Sequence, residues 1–447
     1  MQAVMDRPAT NVAGRRDGRD GLKLSLGRPQ VVAAVDLGAS KVACFILKPD
    51  GIRRPERALT AAGIGYVQSR GVRGGAIVDV AEASRAIAQA VERAEAMAGV
   101  DISSVTMVTS CGQLASHRVT ARVATGGRAI TEADQARAIA QAAATLRLNR
   151  RKVIHLRAVC WNVDGQGHVV DPRGMSGRML GLDLLAVSMK EGVYQTLGHC
   201  VGLAHLEFEG VMAAPYASAL VALEEDEMEL GAICIDMGGG STSVAVFSGG
   251  SLVHVDSVPV GGSHVTKDVA QGLSTSLGGA ERIKTLHGSA IASTNEDREM
   301  IEAPPRGDDP GAGPVTAPRS MLKGIIAPRV EETLEILKDR LKSAGALELG
   351  AGVVLTGGAS QLAGVREVAT RVFDRNVRLG RPGRIPHLAE AAGGPGYCAA
   401  AGVLHRAAFG PRDLRAGRRL GGDPSRRAID PNANVIAKAT AWLRDNL

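Results

Sequence analysis

Two short segments, 200 residues apart, repeat one pattern: Val31-Val-Ala-Ala-Val-Asp36-Leu-Gly38-Ala-Ser40-Lys41 and Ile233-Cys-Ile-Asp236-Met-Gly238-Gly239-Gly240-Ser241-Thr242. Each is an apolar run of strand type that ends in an aspartate and turns through Gly and Ser. Each then resumes as a second apolar run, Val42 to Leu47 and Val244 to Phe247. A repeat at this distance predicts two related domains facing one another, each offering a phosphate-binding hairpin to a shared cleft. Glycine lets backbone N–H groups approach phosphate oxygens and permits φ > 0 in the turn. Ser40, Ser241 and Thr242 add hydroxyl donors. Asp36 and Asp236 close their strands at the cleft mouth, where carboxylates can hold Mg²⁺ through its waters. Counted from the aspartate to the following Val-Ala, the second loop is two residues longer. Gly/Ser turns are common in ordinary hairpins, but two with matched Asp-x-Gly favour the phosphate reading.

A chain of 447 residues has room for two or more domains with substantial cores. With 45% hydrophobic residues but only 2% aromatic, those cores must be built from Ala, Val, Leu, Ile and Gly. Cysteines 44, 111, 160, 200, 234 and 398 lie in apolar contexts without CxxC spacing, which predicts reduced, mostly buried thiols in a cytosolic protein. No signal peptide or membrane-spanning run is legible, so a membrane would be met from the cytoplasmic surface. The net charge of +7 is uneven: residues 1–30 carry +3, 411–430 another +3 and 431–447 +1, leaving the body neutral. A nucleic-acid binder would carry a basic stripe with aromatic platforms on its folded part, and none is visible. The basic tails suit an anionic lipid surface better.

Residues 1–29 read as a disordered basic extension. The first domain opens at 30–100 with strands over 31–35 and 42–47 and a helix near 80–98. A changed pattern over 101–180 reads as an inserted unit. Its strands are Val105–Thr109, Val153–Val159 and His168–Val170, around an Ala-rich helix at 131–146 with a Thr131-Glu-Ala-Asp134 cap. The first domain resumes at 181–230, with helices over Glu191–Val201 and Ala213–Leu223. The second half, 231–410, contains a helical Ala280-Glu281-Arg-Ile-Lys284 and a Pro- and Gly-rich stretch, 289–319, expected as a flexible loop. An amphipathic helix at 320–343 follows, with Leu322, Ile326, Val330, Leu334, Leu337 and Leu341 on one side. Next comes a third glycine motif, Val353-Val-Leu-Thr356-Gly357-Gly358-Ala-Ser360. A strand delivering Thr-Gly-Gly to a helix start can lay its backbone flat against a nucleoside. A basic linker, 411–433, leads to a terminal helix, 434–447.

Two Asp-x-Gly hairpins followed by a late Thr-Gly-Gly resemble the phosphate-1, phosphate-2 and adenosine motifs of the actin-like ATPase superfamily. Within it the chain resembles the FtsA family of cell-division proteins. The residues are Leu37-Gly-Ala-Ser-Lys-Val-Ala43, Ile102-Ser-Ser-Val105, Met175-Ser-Gly-Arg178, Asp226-Glu-Met-Glu-Leu-Gly231, Asp236-Met-Gly-Gly-Gly-Ser241 and Ala351-Gly-Val-Val-Leu-Thr-Gly-Gly358. The resemblance runs from about residue 31 to the C-terminus. It implies an α/β, actin-like, duplicated ribonuclease-H-like ATPase fold with subdomains 1A, 1C (the insertion), 2A and 2B, its final segment returning to 1A. It implies ATP with Mg²⁺, the phosphates facing Asp36, Gly38, Ser40, Lys41 and Gly238 to Thr242. It also implies adenosine against Glu281, Lys284, Gly357 and Gly358. Its partners would be an FtsZ C-terminal peptide on 2B, later division proteins on 1C, and further copies of itself. It would act at the division site, on the cytoplasmic face of the inner membrane. Relatives of the MreB type carry Glu-Pro before phosphate-2, where the Glu positions the attacking water. Here Ala214-Pro215 stands in that place, which predicts ATP binding with slow or negligible hydrolysis.

In the terminal helix, Val435, Ile436, Ala439, Trp442, Leu443 and Leu447 fall within about 140° of arc, with Lys438, Arg444 and Asp445 outside it. Such a stripe after an Arg-rich linker predicts an interfacial helix that binds anionic lipid reversibly. Its four large apolar side chains bury at most ~6–12 kcal/mol gross. A sugar- or acetate-type kinase of the same superfamily would need a catalytic Asp and gain nothing from this helix. A PilM-type pilus adaptor shares the fold but not the linker and helix.

Overall fold

The computed structural model describes residues 31–49, 59–291, 299–305, 314–383 and 390–409. The extension 1–29, the linker 411–433 and the segment 434–447 with its Val435, Ile436, Ala439, Trp442, Leu443 and Leu447 lie outside the described residues.

The first lobe starts as an antiparallel meander, β1 (Val32–Leu37), β2 (Lys41–Pro49) and β3 (Leu59–Gln68). A small hairpin, β4 (Val72–Arg73) and β5 (Ala76–Ile77), leads into α1 (Val80–Ala98). The Asp79 carboxylate accepts the Glu82 amide at 3.0 Å and starts this helix, and Gly99 at φ 62° stops it. Ala83, Ile87, Ala90, Val91 and Ala94 form its buried face. A Cβ on Gly65 of β3 would stand 2.0 Å from the Ala90 carbonyl oxygen, so only glycine lets the helix lie this close. β6 (Ser104–Thr109) then pairs parallel to β1.

From here the chain leaves the lobe as β7 (Ala115–Ala124), α2 (Glu132–Thr145), β8 (Arg151–Val163), β9 (Gln166–Val169) and β10 (Met179–Lys190). These strands form a separate antiparallel sheet ordered β7-β10-β8-β9, with its own core around Ala138, Trp161, Leu180, Leu182 and Leu184. The expected cap of α2 is present: the Thr131 amide and hydroxyl both donate to Asp134 Oδ2, at 2.9 and 2.8 Å. The expected limits of the insertion, 101–180, shift. Val105–Thr109 belongs to the first lobe's sheet, beside β1, and the exit strand runs on to Lys190. An apolar strand entering an insertion reads the same as one that precedes it, because pairing partners are absent from local sequence.

After α3 (Glu191–Leu203), β11 (Glu207–Ala213) completes the first lobe's sheet, ordered β11-β6-β1-β2-β3. Helices α4 (Ala214–Ala222) and α5 (Glu225–Leu230) lead to the second lobe. There β12 (Ala232–Met237), β13 (Thr242–Ser248) and β14 (Ser251–Val258) form another meander. Two helices follow, α6 (Gly262–Gly272) and α7 (Leu277–His287), then a hairpin, β15 (Met300–Ala303) and β16 (Val315–Pro318). That hairpin falls inside the expected 289–319 loop, of which 292–298 and 306–313 lie outside the described residues. In α8 (Arg319–Ser343) all six predicted apolar positions are buried. Then come β17 (Gly352–Thr356), α9 (Val365–Phe373), β18 (Val377–Leu379) and α10 (Cys398–Phe409).

The second sheet is ordered β14-β13-β12-β17-β18. Strand for strand it matches the first: a three-stranded antiparallel meander, then two strands added in parallel beside its first member. This is the duplicated ribonuclease-H-like, actin-like fold. The chain end returns to the first lobe, where α10 packs on α4, β1 and β2. All six cysteines are free, and all but the half-buried Cys160 are buried. Among the described residues no helix is long and apolar enough to cross a membrane.

Candidate functional site

The two Asp-x-Gly segments form hairpins in identical register. Asp36 pairs with Ala43 and Leu37 with Val42; Asp236 pairs with Ser243 and Met237 with Thr242. Each turn therefore holds four residues, Gly38 to Lys41 and Gly238 to Ser241. Each is closed by the same bond, the Gly38 amide to the Lys41 carbonyl at 3.1 Å and the Gly238 amide to the Ser241 carbonyl at 2.9 Å. The expected difference in loop length is absent, because Thr242, not Val244, is the equivalent of Val42. The polar pair Thr242-Ser243 starts the strand, although its composition reads as turn.

The glycines are not there for φ > 0 either: none of Gly38, Gly238, Gly239 and Gly240 has a positive φ. Close approach requires them. A Cβ on Gly239 would lie 1.9 Å from Ser40 Oγ, and one on Gly240 2.6 Å from Ala39 Cβ. The hairpin tips of the two lobes touch, at one side of a cleft of about 1110 Å³ lined by both turns. Ser40 and Ser241 remain accessible there. Thr242 does not: it is fully buried and its hydroxyl donates to the Val260 carbonyl at 2.8 Å. The expected phosphate donor is instead a brace for its own hairpin.

On the cleft floor, Asp36 and Asp236 share one ammonium group, Lys41. Burial pushes the Asp36 carboxyl up to about 7, against the pull of Lys41 and with the help of Asp236. Burial also raises Asp236, opposed by the Ser218 hydroxyl, which donates to its Oδ2 at 2.6 Å, and by Lys41. Lys41 is lowered by burial against both carboxylates, and its Nζ stands 3.1 Å from the centroid of the Tyr397 ring. Two carboxylates facing one ammonium leave this floor short of positive charge. Among the described residues no three metal-capable side chains cluster, so a cation here would keep its waters. The Ser69 hydroxyl, on the cleft wall, is buried without a partner among the described residues, and its amide holds the Ser40 carbonyl at 3.0 Å. Backbone donors, an orphaned hydroxyl, a lysine and two carboxylates suit a phosphate chain with a hydrated Mg²⁺.

The expected nucleoside end also comes together. Glu281 and Lys284 on α7 pair at 2.6 Å, and the Lys284 ammonium also donates to Thr266 on α6 at 2.9 Å. β17 delivers Thr356 to Gly357, whose φ of 85° favours glycine and where a Cβ would meet Asp236 Oδ1 at 2.4 Å. Gly358 has nothing within 4 Å of its Cβ position and opens a flat face to the cleft. Ala214 stands at the first turn of α4 and lines the cleft, so that helix brings Ser218 rather than a carboxylate to the floor.

Two parts of the site escaped sequence reading. The Pro395 carbonyl accepts the Gly357 amide and the Thr356 hydroxyl, both at 3.2 Å, and Tyr397 covers Lys41. Its signal is the run Gly393-Gly-Pro-Gly-Tyr397 before an apolar helix. The second is the β4–β5 turn, Gly74-Gly75, at φ 52° and 70°, whose signal is two adjacent glycines in a two-residue hairpin.

Comparison with known proteins matches the second half of the chain and the inserted sheet to family models. The family model described as "Cell division protein FtsA" matches residues 233–402, and "SHS2 domain inserted in FTSA" matches 111–188, the separate sheet. A protein of Rhizobium meliloti strain 1021 named "Cell division protein FtsA" is 41% identical over 84% of this chain and 87% of its own length. Another of that name, from Agrobacterium fabrum strain C58, is 37% identical over 95% and 96%. A solved structure titled "PilM-PilN type IV pilus biogenesis complex" covers 86% of this chain and 100% of its own at a TM-score of 0.59 and 15% identity, a likeness of fold.

Proposed function

The chain belongs to the FtsA family of cell division proteins, and from that premise we propose that it is an ATP-binding, self-assembling adaptor that ties FtsZ filaments to the cytoplasmic face of the inner membrane. The observation that carries the nucleotide reading is the pair of register-identical hairpins whose tips meet beside one cleft. Gly38, Ser40, Lys41, Gly238, Gly239, Gly240 and Ser241 hold phosphate, Asp36 and Asp236 hold Mg²⁺ through water, and Glu281, Lys284, Gly357 and Gly358 hold adenosine. With Ala214 where a water-positioning carboxylate would stand, the nucleotide is held more than it is hydrolysed. It acts as a ligand that sets conformation and assembly.

The segment 434–447 supplies the lipid contact, through the stripe that includes Trp442 and Leu443. One helix binds reversibly, and a polymer binds through many. The inserted domain, 111–188 by family match, is the docking surface for later division proteins, and the second lobe around β15 and β16 that for the FtsZ C-terminal peptide. Co-sedimentation of the full chain with anionic vesicles, ATP and that peptide tests all three: binding of each is expected, and binding of none rejects the reading. Trp442→Glu should abolish vesicle pelleting, and pelleting that survives it removes the terminal helix as anchor.

A further inference from the structure

Helix α4 is buried along its whole length, yet its start lacks local support: no side chain of its own caps it, and its second residue is Pro215. In a capping box the third helical residue reaches back to the amide of the residue before the helix. Here that third residue is Tyr216, whose hydroxyl instead accepts from Arg157 at 3.1 Å. The Ala213 amide, just before the helix, donates to His155 Nε2 at 3.0 Å. The acceptor that α4 lacks comes from another domain.

His155 and Arg157 alternate along β8 of the inserted sheet, so both point to one face, and both are buried there. The His155 ring meets Tyr216 edge-on with centroids 5.1 Å apart, and Arg157 Cζ lies 5.2 Å from the Tyr216 centroid. Tyr216 also stacks with Phe247 of β13, centroids 6.3 Å apart at 16°. The ring is thus held between the inserted domain and the second lobe, with none of its surface exposed. Burial, together with the nearby Arg157 and Arg406 guanidinium groups, holds His155 well below the ordinary histidine range. Its ring stays neutral, and Nε2 keeps the lone pair that accepts the Ala213 amide.

About one and a half turns further along the same helix, the Ser218 hydroxyl donates to Asp236 Oδ2 at 2.6 Å. A bond that short weakens steeply when its donor is displaced or tilted. We propose that His155 is a positioning residue for the nucleotide cleft: it fixes the start of α4 from the inserted domain, and through α4 it sets the Ser218 hydroxyl against Asp236. Arg157 helps by clamping the Tyr216 ring between the two. This rests on the nucleotide reading above. No residue of β7 to β10 lines the cleft, so the inserted domain reaches it only through such an intermediary.

The test is a double-mutant cycle in the full chain. His155→Phe keeps a ring against Tyr216 and removes the acceptor. Titration with Mg–ATP should show affinity lowered at least fivefold by His155→Phe alone, but less than twofold when it is added to Ser218→Ala. A packing role would cost the same in both backgrounds. His155→Gln, which restores an acceptor, should stay within twofold of the unaltered chain. A second measurement needs no change at His155. On Mg–ATP binding, amide exchange at Ala213 should slow at least threefold more in the unaltered chain than in Ser218→Ala, each held at the same multiple of its own Kd. Equal loss in both backgrounds, no loss with His155→Phe, a loss with His155→Gln as large as with His155→Phe, or equal slowing at Ala213 overturns the proposal. An unaltered chain that does not bind Mg–ATP overturns the nucleotide reading and this proposal together; one that binds it without the coupling to Ser218 overturns only the positioning role.

Discussion

The first and second Asp-x-Gly hairpins share a backbone and almost nothing else. Both turn in four residues, with the same closing bond and the same aspartate register. The first carries its chemistry in side chains: Ser40 at the tip, Lys41 under Tyr397, and an Asp36 lifted to about 7 by burial. The second is nearly bare, three glycines and a serine, and its aspartate is steadied by Ser218 from α4. Duplication preserved the frame because register is set by sheet pairing. The side chains diverged because only one tip can be bulky where two tips touch: Ala39 and Ser40 occupy the space that Gly239 and Gly240 leave. One hairpin supplies charge and the other supplies backbone.

The largest effect expected from that division lies behind the second hairpin. A Cβ on Gly261 would lie 2.5 Å from the Gly238 carbonyl oxygen and 2.8 Å from the Ser241 nitrogen, both backbone atoms that cannot rotate away. Gly261→Ala should displace the whole turn and weaken ATP binding by about 100-fold or more, with of order 2–3 kcal/mol lost from stability. Ser69→Ala, beside the first hairpin, removes only an orphaned hydroxyl and should weaken binding less than tenfold. Calorimetric titration of both variants breaks the comparison if their losses are alike.

Next in size is the contrast between the aspartates. With folded Asp36 near 7 and the ordinary value 3.8, the folded chain holds a proton that the unfolded chain has released between those values. Stability of the nucleotide-free protein should therefore fall as pH rises from about 4 to about 7 and level off above. Asp36→Asn cannot lose that proton, so its urea midpoint should fall less between pH 5 and pH 8 than that of the unaltered chain. An equal fall would mean that Asp36 titrates normally and carries no special charge role. Ser218→Ala, which removes a hydrogen bond to the other carboxylate, should cost about 1.5–3 kcal/mol, or roughly tenfold or more in Mg²⁺-dependent ATP affinity. An unchanged affinity would mean that Asp236 needs no steadying.

What could be read in advance follows a physical line. Periodic apolar faces were legible, as in α1 and in α8 with its six buried positions, because helical burial is encoded within a few turns. So were the paired aspartates, which mark where strands end. The boundary of the insertion was not, because β6 looks alike whether it pairs with β1 or with β10. The β4–β5 turn and the Pro395 loop were missed for a related reason. Their contribution is backbone N–H and C=O, and sequence records side chains. The glycines of the two turns are legible in the sequence, but the physical reason for them is not. None has a positive φ: the opposing lobe forbids a Cβ at Gly239 and Gly240, and the turn's own carbonyl crowds one at Gly38 and Gly238.

The smallest effect separates hairpin support from ligand contact. Thr242 heads β13 in the position held by Val42 in the first hairpin. Its hydroxyl is spent in a bond with the Val260 carbonyl at 2.8 Å, and none of its surface is exposed. Thr242→Val swaps the hydroxyl for a methyl at nearly constant shape, making the second hairpin more like the first. The Val260 carbonyl then loses a buried donor, at a cost of about 1 kcal/mol in unfolding free energy. Affinity for ATP should stay within twofold, since no donor to phosphate has been removed. A drop of tenfold with stability unchanged would reverse the assignment and return this hydroxyl to the phosphate, leaving the two hairpins chemically less different than their structures make them.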